Sequence, residues 1–525
     1  MPSGRRSSVV EAHEAYMKYH KHHVASDDDE QEEVEGSAEY LSSVKTEEGD
    51  PWPQFHRVEK TGVIYATSRA KRHGFDPEDP AWANMGQGAP ETGPLPGAPS
   101  RNFNLSIPDA ELEYAPVTGN PHLRAKVADY YNALYRKGMP SQYTAANVCI
   151  VPGGRAGLTR IMAILANVQV GYFCPDYTAY EQALGLFLRI SPSPLLHRDV
   201  NEAVMDAEEF AFQCSGRGVG AILLSNPANP TGQSIEGERL QQYVETARTQ
   251  QCSIIFDEFY SHYYYDGDAV DPQDGGADDD SNWYVTMSEN CVDLYNSCIF
   301  SHPVFSYSRT NISRPKTVSS AAYIEDVNKD PILIVNGLTK NWRCPGFRIC
   351  WIVAPKAIVE MLGSAGSYLD GGANAPLQLL ALPLMDLDFI RRDTWALQRH
   401  FRMKRDFLLE ELSDMGIQVK WKPRATFYVW ADLSGLPPPL NDCLVFLEEC
   451  IRKKVVIVPG VFFDINPRGI NNVRKSKCLP NIRFSYGPPM RNLELGMKAI
   501  REIIQEWKDM PPETADDYAQ ERGYA

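Results

Sequence analysis

Short apolar segments with strand character recur along this chain and alternate with segments of helical periodicity. A helix is predicted from 121 to 137, because Leu123, Val127, Tyr130 and Leu134 fall on one face. A longer helix is predicted from 393 to 415, with Gly416 just after its end. Strands are predicted at 170–174, 219–224, 253–256, 332–335 and 349–354, and further along the chain at 426–431, 455–458 and 482–485. Strands that alternate with helices are typical of an α/β fold with a parallel or mostly parallel sheet.

Polar residues follow two of these strands directly. The segment 225–232, with two Asn-Pro pairs and a glycine, breaks regular structure after the strand at 219–224. Asp257 ends the next strand, and Tyr260 follows it closely. Open α/β sheets bind ligands at the carboxyl ends of their strands, so these polar groups are expected at one site. Considered alone, Asp257 is equally compatible with a helix cap, and Tyr260 with a core residue.

A lysine, Lys340, follows the strand at 332–335, and Arg348 lies beyond a Pro-Gly turn. Desolvation favours the neutral amine of a lysine, which is the nucleophile that a Schiff base requires. The rigid fork of an arginine suits a phosphate. An aldehyde that carries a phosphate needs both groups, and pyridoxal 5'-phosphate (PLP) is such a molecule. A lysine after a strand is also compatible with a solvated surface residue, so the prediction depends on the other motifs.

Three motifs occur in one consistent order: Asn-Pro-x-Asn-Pro-Thr-Gly at 226–232, Asp-x-x-Tyr at 257–260, and Lys340 followed by Arg348. In this combination the chain resembles the aminotransferase class I/II family, the fold-type I PLP enzymes of the aspartate aminotransferase superfamily, from about 84 to 506. The resemblance implies a PLP-transferase fold. It has a large domain with a mostly parallel seven-stranded sheet between helices, and a smaller α/β domain built from both chain ends.

The same resemblance implies roles for individual residues around the cofactor PLP. Lys340 would form the Schiff base and later move the substrate proton. Asp257 would pair with the pyridinium nitrogen, which keeps the ring an electron sink. Asn229 and Tyr260 would bond the 3' oxygen of the ring, and Arg348 would bind the phosphate.

The segment 151–157 resembles the turn of this family that cradles the phosphate. It contains Gly153, Gly154 and Arg155 and opens a helix predicted at 158–167. Free backbone N–H groups and the helix dipole at such a turn favour an anion. Tyr177 matches the aromatic residue of the family that stacks on the pyridine ring.

Further matches concern the substrate and the assembly. Arg483 resembles the arginine that grips the substrate α-carboxylate, and Asn229 is expected to assist. Gly88 lies in a segment, 84–90, that resembles the substrate-side loop of the family. Tyr114 resembles the tyrosine that reaches the phosphate of the neighbouring subunit, which implies a homodimer with shared active sites.

Two departures from the family pattern bear on function. Gly337 stands where the family often has a phosphate-binding serine, and the nearby Thr339 offers an alternative hydroxyl. Dicarboxylate-specific members use a second arginine some thirty residues after the lysine, but 357–390 contains no Arg or Lys. The corresponding stretch, 363–376, is rich in Gly and Ala and contains Tyr368. Aspartate and glutamate are therefore predicted to be poor amino donors.

Composition excludes several other classes of protein. The formal net charge of −16 argues against nucleic acid or an anionic membrane surface as a partner. The 11 cysteines include no C-x-x-C pair, which predicts reduced thiols in a cytoplasmic setting, with no disulfide framework or metal site. The histidines near the N-terminus are interpreted as part of a solvated tail. No apolar run is long enough to span a membrane.

Composition shifts predict the domain organisation. We expect a disordered acidic extension at 1–50, an N-terminal arm and part of the small domain at 51–115, and a large PLP-binding domain at 116–375. The large domain would carry an inserted loop at about 266–318, with a short helix near 289–297. The C-terminal small domain is expected at 376–510, followed by a polar tail at 511–525.

The sequence therefore predicts a PLP-dependent transaminase that moves an amino group between an amino acid and a 2-oxo acid. One alternative is a PLP-dependent lyase, a decarboxylase or an enzyme similar to aminocyclopropanecarboxylate synthases, because the same residues serve all of these reactions. A second alternative is a non-catalytic binding protein of the same fold. Its motivation is Gly337 together with the acidic extensions.

Overall fold

The fold is taken from a computed structural model, which describes residues 60, 62–101, 103–104, 107, 109–198, 202–265, 316–469, 473–511 and 514. All of these residues belong to one unit, His56–Ala515. The predicted acidic extension at 1–50, the histidines near the N-terminus and nearly all of the predicted insertion at 266–318 lie outside the described residues. The helix predicted near 289–297 and most of the C-terminal tail also lie outside them.

The described residues form an alternating series of strands and helices. The strands are β1 Ala83–Asn84, β2 Val148–Val151, β3 Val168–Tyr172, β4 Ile190–Pro194, β5 Val219–Ser225, β6 Ser253–Asp257, β7 Ile332–Gly337, β8 Cys350–Val353, β9 Tyr428–Asp432, β10 Val455–Val456, β11 Val458–Pro459 and β12 Asn481–Ser485. The α-helices are α1 Gly62–Arg72, α2 Pro121–Tyr135, α3 Gly154–Ile164, α4 Ala179–Leu186, α5 Ala207–Arg217, α6 Gly237–Gln250, α7 Lys356–Leu369, α8 Ala375–Ala381, α9 Leu387–Asp414, α10 Cys443–Arg452 and α11 Met490–Asp509.

A seven-stranded sheet forms the centre, in the order β2-β8-β7-β6-β5-β3-β4. Strand β8 runs antiparallel to both of its neighbours, and the pairings among β3 to β7 are parallel. The predicted α/β class with a mostly parallel seven-stranded sheet is confirmed. Every residue of β7 is buried, as expected for a strand of a parallel sheet that helices cover on both faces.

Two smaller sheets combine segments from distant parts of the chain. Strands β11, β12 and β9 form an antiparallel sheet, and β1 pairs with β10, with Ala83 opposite Val455. Extended sequence at 455–458 was expected to be one strand, and this prediction is wrong. The segment divides at Ile457, because β10 pairs with the N-terminal β1 whereas β11 pairs with β12. The predicted division into a large and a small domain stays a prediction.

Several predicted boundaries shift by a few residues. The strand expected at 170–174 is β3, two residues earlier, and the helix expected at 158–167 is α3, which begins at Gly154. The long helix α9 begins at Leu387, because the Asp386 side chain caps it by accepting from the Phe389 N–H. It ends before Gly416, whose φ of +80° suits the predicted glycine after a helix end.

Two further features of the described residues are the state of the cysteines and the apolar character of the helices. The nine described cysteines are all free thiols. Across the described ranges, no helix combines the length and the apolar character needed to cross a membrane.

Candidate active site

The carboxyl ends of three adjacent parallel strands define the site. Ser225 at the end of β5 lies opposite Asp257 at the end of β6, and Asp257 lies opposite Val335 of β7. The segments that follow these strand ends carry Asn229, Tyr260 and Lys340. The pairing of the sheet therefore brings residues from separate parts of the sequence to one edge.

Lys340 lies in the turn after β7, and its environment disfavours a positive charge. Its amine donates to the Gly88 carbonyl of the loop after β1 and lies 6.0 Å from the centre of the Phe427 ring. Burial, with a smaller effect of the Arg483 charge, lowers the pKa of Lys340 from 10.5 to about 8, and Asp257 partly opposes this shift. About one-tenth of this amine is therefore neutral at pH 7, far more than for a lysine with the reference pKa of about 10.4.

Asp257 is a buried carboxyl group with an unpredicted partner. Tyr180 of α4 donates a hydrogen bond of 2.8 Å to its Oδ2 atom. Burial raises the pKa of Asp257 to about 6, although the Tyr180 hydrogen bond and the Lys340 charge act in the opposite direction. At neutral pH the group is mainly a carboxylate, and it can stabilise a positive charge placed beside it.

A second buried carboxyl group, Asp176, lies close to the first and was also not predicted. The Ser225 hydroxyl donates to its Oδ1 atom at 2.6 Å, and the Tyr177 N–H does so at 2.7 Å. Burial raises the pKa of Asp176 to about 8, and the Asp257 charge contributes to this shift. Two neighbouring carboxyl groups thus differ in charge at neutral pH, because their surroundings separate their pKa values.

The glycine-rich turn between β2 and α3 lies against Arg348. A Cβ atom at Gly153, whose φ is +105°, would fall 1.9 Å from the Arg348 Nη2 atom. One at Gly154 would fall 2.6 Å from the Phe259 ring. Only glycine leaves room here for Arg348 and the free N–H groups at the start of α3. The Arg348 guanidinium therefore lies beside the first N–H groups of α3, an arrangement that suits a phosphate.

Arg155 in the first turn of α3 extends towards Tyr177. Its Nε and Nη2 atoms donate to the Tyr177 hydroxyl at 3.2 and 3.1 Å. The Tyr177 ring meets Tyr180 edge-on, with 5.4 Å between centroids. Arg155 is therefore linked through two tyrosines to Asp257, across the width of the site.

The structure explains why position 337 is a glycine, which the sequence alone did not reveal. It pairs with Cys350 of β8, and a Cβ atom at position 337 would fall 2.5 Å from the Cys350 Cα and 2.6 Å from its Sγ atom. A serine at 337 is thus sterically excluded. The Thr339 hydroxyl lies 3.3 Å from the same Sγ atom. The space of the missing serine is therefore occupied by a thiol from the neighbouring strand.

Arg483 of β12 reaches the site from the three-stranded sheet and is only 2% exposed. Its Nη1 atom donates to the Asn229 Oδ1 atom at 3.0 Å, and its Nη2 atom to the Gly86 carbonyl at 2.8 Å. Its Nε atom is buried and has no hydrogen-bond partner among the described residues. A buried guanidinium without a carboxylate partner in hydrogen-bonding distance suits an incoming anion.

Tyr260 contacts a residue that the sequence analysis missed, Tyr428 of β9. The two hydroxyl oxygens are 2.8 Å apart. Tyr428 lies two residues from Trp430, which pairs with Arg483, so all three side chains lie on one face of the sheet. A correct pairing of β9 with β12 would have drawn attention to Tyr428, but single-sequence patterns do not provide that pairing.

Two residues discussed from the sequence do not join this cluster within the chain. Tyr114, which was expected to reach a neighbouring subunit, is fully exposed at 100%. Tyr368 on α7 is 71% exposed. The remaining predicted residues lie along the edge of the central sheet, in the glycine-rich turn, or on β12 and the loop after β1.

Comparisons with known proteins identify the family. The sequence pattern of the aminotransferase class I and II family matches residues 80–500. An aspartate aminotransferase of Pyrococcus horikoshii is 20% identical over 403 residues, which are 76% of this chain and 85% of that protein. An LL-diaminopimelate aminotransferase of Desulforudis audaxviator is 24% identical over 383 residues, 72% of this chain and 81% of that protein.

Solved structures agree with this assignment at the level of the fold. Aspartate aminotransferase from Thermus thermophilus with maleate has a TM-score of 0.61 at 19% identity, covering 85% of this chain and 97% of that one. An aminotransferase from Mycobacterium tuberculosis has a TM-score of 0.63 at 18% identity, covering 86% and 97%. The chain belongs to the aminotransferase class I and II family, whose members are PLP-dependent transferases.

The chemistry of the site fits PLP at three points. The glycine-rich turn against Arg348 suits the phosphate, and the partly neutral Lys340 amine suits the aldehyde. The buried Asp257 carboxylate suits a protonated pyridine nitrogen. The residues present thus match the cofactor that the family requires.

The lowered pKa of Lys340 leads to a kinetic prediction. The rate at which the apoprotein captures added PLP should rise with pH and level off above about 8, because the neutral amine is the nucleophile. Stopped-flow absorbance measures this rate. The comparison is the lysine of a short model peptide, whose reaction with PLP should increase up to the reference pKa of about 10.4. A midpoint near 10.4 for Lys340 would contradict the described environment.

Proposed function

We propose that this protein is an aminotransferase in which Lys340, Asp257 and Tyr260 perform the chemistry on an amino acid held by Arg483. The observation that supports this most strongly is the lowered pKa of the Lys340 amine, beside an arginine and opposite a buried carboxylate. When bound, PLP supplies an aldehyde that condenses with amines and a ring that accepts the electron pair released at the substrate Cα.

Substrate binding is assigned to Arg483, with contributions from Asn229 and Gly88. A bidentate guanidinium–carboxylate pair fixes the substrate so that one bond of Cα is aligned for reaction. Asn229 accepts from Arg483 Nη1, which holds the guanidinium plane in place. The Gly88 carbonyl accepts from the Lys340 amine and closes the substrate side of the site.

Proton transfer at Cα is assigned to Lys340. A general base is most effective when its pKa lies near the working pH, and a pKa of about 8 meets that condition. Asp257 is proposed to stabilise the protonated pyridine nitrogen, and Tyr260, with Asn229, to hydrogen-bond the ring oxygen. Arg483 contributes a further effect, because its charge favours the neutral Lys340 amine.

Cofactor anchoring is assigned to Gly153, Gly154, Arg155 and Arg348 at the phosphate, with Tyr177 against the ring. Arg155 adds a second positive charge, and its contact with Tyr177 would orient that ring.

A homodimer is proposed from Tyr114, whose full exposure suits a role in a neighbouring subunit. Sedimentation of the PLP-loaded protein tests this directly. A stable, active monomer would contradict the shared site. The cytoplasmic setting and the absence of a nucleic-acid partner stay predictions.

Replacement of Arg483 by lysine tests the substrate assignment. Arg483→Lys keeps the charge but loses the bidentate geometry, so KM for the amino donor should rise about 100-fold while the bound-cofactor spectrum persists. Steady-state kinetics with any accepted donor measure the effect. Arg491→Lys is the matched control, because Arg491 is an exposed residue of α11. An unchanged KM in Arg483→Lys would remove Arg483 from the substrate site.

The choice of donor forms a separate prediction. Aspartate and glutamate should convert the bound cofactor to pyridoxamine phosphate more slowly than apolar or aromatic amino acids, because 357–390 supplies no Arg or Lys for a second carboxylate. Single-turnover absorbance with a panel of amino acids measures the conversion. A fast half-reaction with either acid would overturn the proposed donor class, without affecting the proposed transamination.

A further inference from the structure

Tyr428 contacts both proposed halves of the site. Its hydroxyl lies 2.8 Å from the Tyr260 hydroxyl, on the cofactor side. Its ring lies under the Arg483 guanidinium, with 4.1 Å between the carbon CZ and the ring centre, on the substrate side. A Cβ atom at Gly88 would lie 3.2 Å from the Tyr428 hydroxyl. The side chain therefore stands between the residues proposed to bind the cofactor and the substrate.

The hydrogen bond between the Tyr260 and Tyr428 hydroxyl groups has a defined direction if Tyr260 binds the cofactor. A tyrosine hydroxyl has one proton to donate. If Tyr260 donates that proton to the ring oxygen of PLP, the proton between the two tyrosines must come from Tyr428. Hydrogen bonds in such a chain strengthen one another, so donation by Tyr428 makes Tyr260 a stronger donor.

The ring of Tyr428 has a separate effect on Arg483. Arg483 is held between Tyr428 and Phe463, whose ring centre is 4.9 Å from its carbon CZ. A guanidinium over an aromatic face is stabilised electrostatically, so the two rings restrict how the Arg483 side chain can turn. The plane of Arg483 sets the direction of its N–H groups towards a carboxylate.

We propose that Tyr428 is a positioning residue that orients the Tyr260 hydroxyl towards the cofactor and the Arg483 guanidinium towards the substrate. This inference rests on the proposed function. The two effects can be tested separately, because the Tyr428 hydroxyl acts on the cofactor side and the Tyr428 ring acts on the substrate side.

Tyr428→Phe removes the hydroxyl and keeps the ring. A weaker donor at Tyr260 stabilises the ring-oxygen anion less, so the proton on the neighbouring cofactor–lysine nitrogen is held more tightly. The midpoint of the pH-dependent absorbance of the bound cofactor should therefore rise by about half a pH unit. KM for the amino donor should change by less than about two-fold, because the guanidinium still stacks on a ring.

Tyr428→Leu removes the ring as well. KM for the amino donor should now rise about ten-fold relative to Tyr428→Phe, through loss of the stacked guanidinium, while the absorbance midpoint stays at the value of Tyr428→Phe. Tyr243→Phe is the control for loss of a buried tyrosine hydroxyl. Tyr243 of α6 donates to the Met205 carbonyl, away from this site, so both readouts should match the wild type.

The outcomes distinguish the inference from the function on which it rests. If the wild-type protein binds PLP and transaminates but Tyr428→Phe leaves the absorbance midpoint unchanged, the inference is wrong and the proposed function stands. If the wild-type protein shows no cofactor absorbance with added PLP, the proposed function fails first. Should Tyr428→Leu not fold, the absorbance midpoint of Tyr428→Phe still decides.

Discussion

The parallel pairing of β5, β6 and β7 is the constraint on which the rest of the site depends. Ser225, Asp257 and Val335 lie side by side across the three strands. β5 and β6 end at these residues and β7 ends two residues later, at Gly337, and the chain that follows the three strands carries Asn229, Tyr260 and Lys340. Because parallel strands end at the same edge, their register alone brings groups that are far apart in the sequence into one cluster.

Burial at that edge separates the charges of the titratable groups. The same desolvation lowers the pKa of Lys340 and raises the pKa values of Asp257 and Asp176. Lys340 gains a neutral fraction, Asp257 remains mainly ionised, and Asp176 is mainly protonated at neutral pH. The site therefore combines a partly neutral amine, a carboxylate and a neutral hydrogen-bonding carboxyl group through small differences in environment.

The sequence predicts the elements and the motif residues because both are local properties. The apolar runs and turn residues indicate β5, β6 and β7, and the glycine pair indicates the start of α3. The residues that were missed depend on tertiary contacts. Tyr180 and Tyr428 resemble ordinary core tyrosines until their hydroxyl partners are known. The division at Ile457 depends on two different partner strands, β1 near the N-terminus and β12 near the C-terminus.

The reason for a glycine at position 337 also depends on a tertiary contact. In the sequence it is a missing hydroxyl and a reason to question catalysis. In the structure it faces Cys350, whose side chain fills the space, with Thr339 beside it. The Cys350 side chain of the paired strand thus takes up the space that a side chain at 337 would need. The lysine, the carboxylate and both arginines still lie at the same edge of the sheet.

The central claim is that Lys340 is the covalent anchor of the cofactor. Peptide mapping by mass spectrometry, after borohydride reduction of the PLP-loaded protein, tests it most directly. The account predicts that the phosphopyridoxyl mass is carried by the peptide containing Lys340, at near-stoichiometric yield. An adduct located on another lysine, or spread over several surface lysines at low yield, would contradict it.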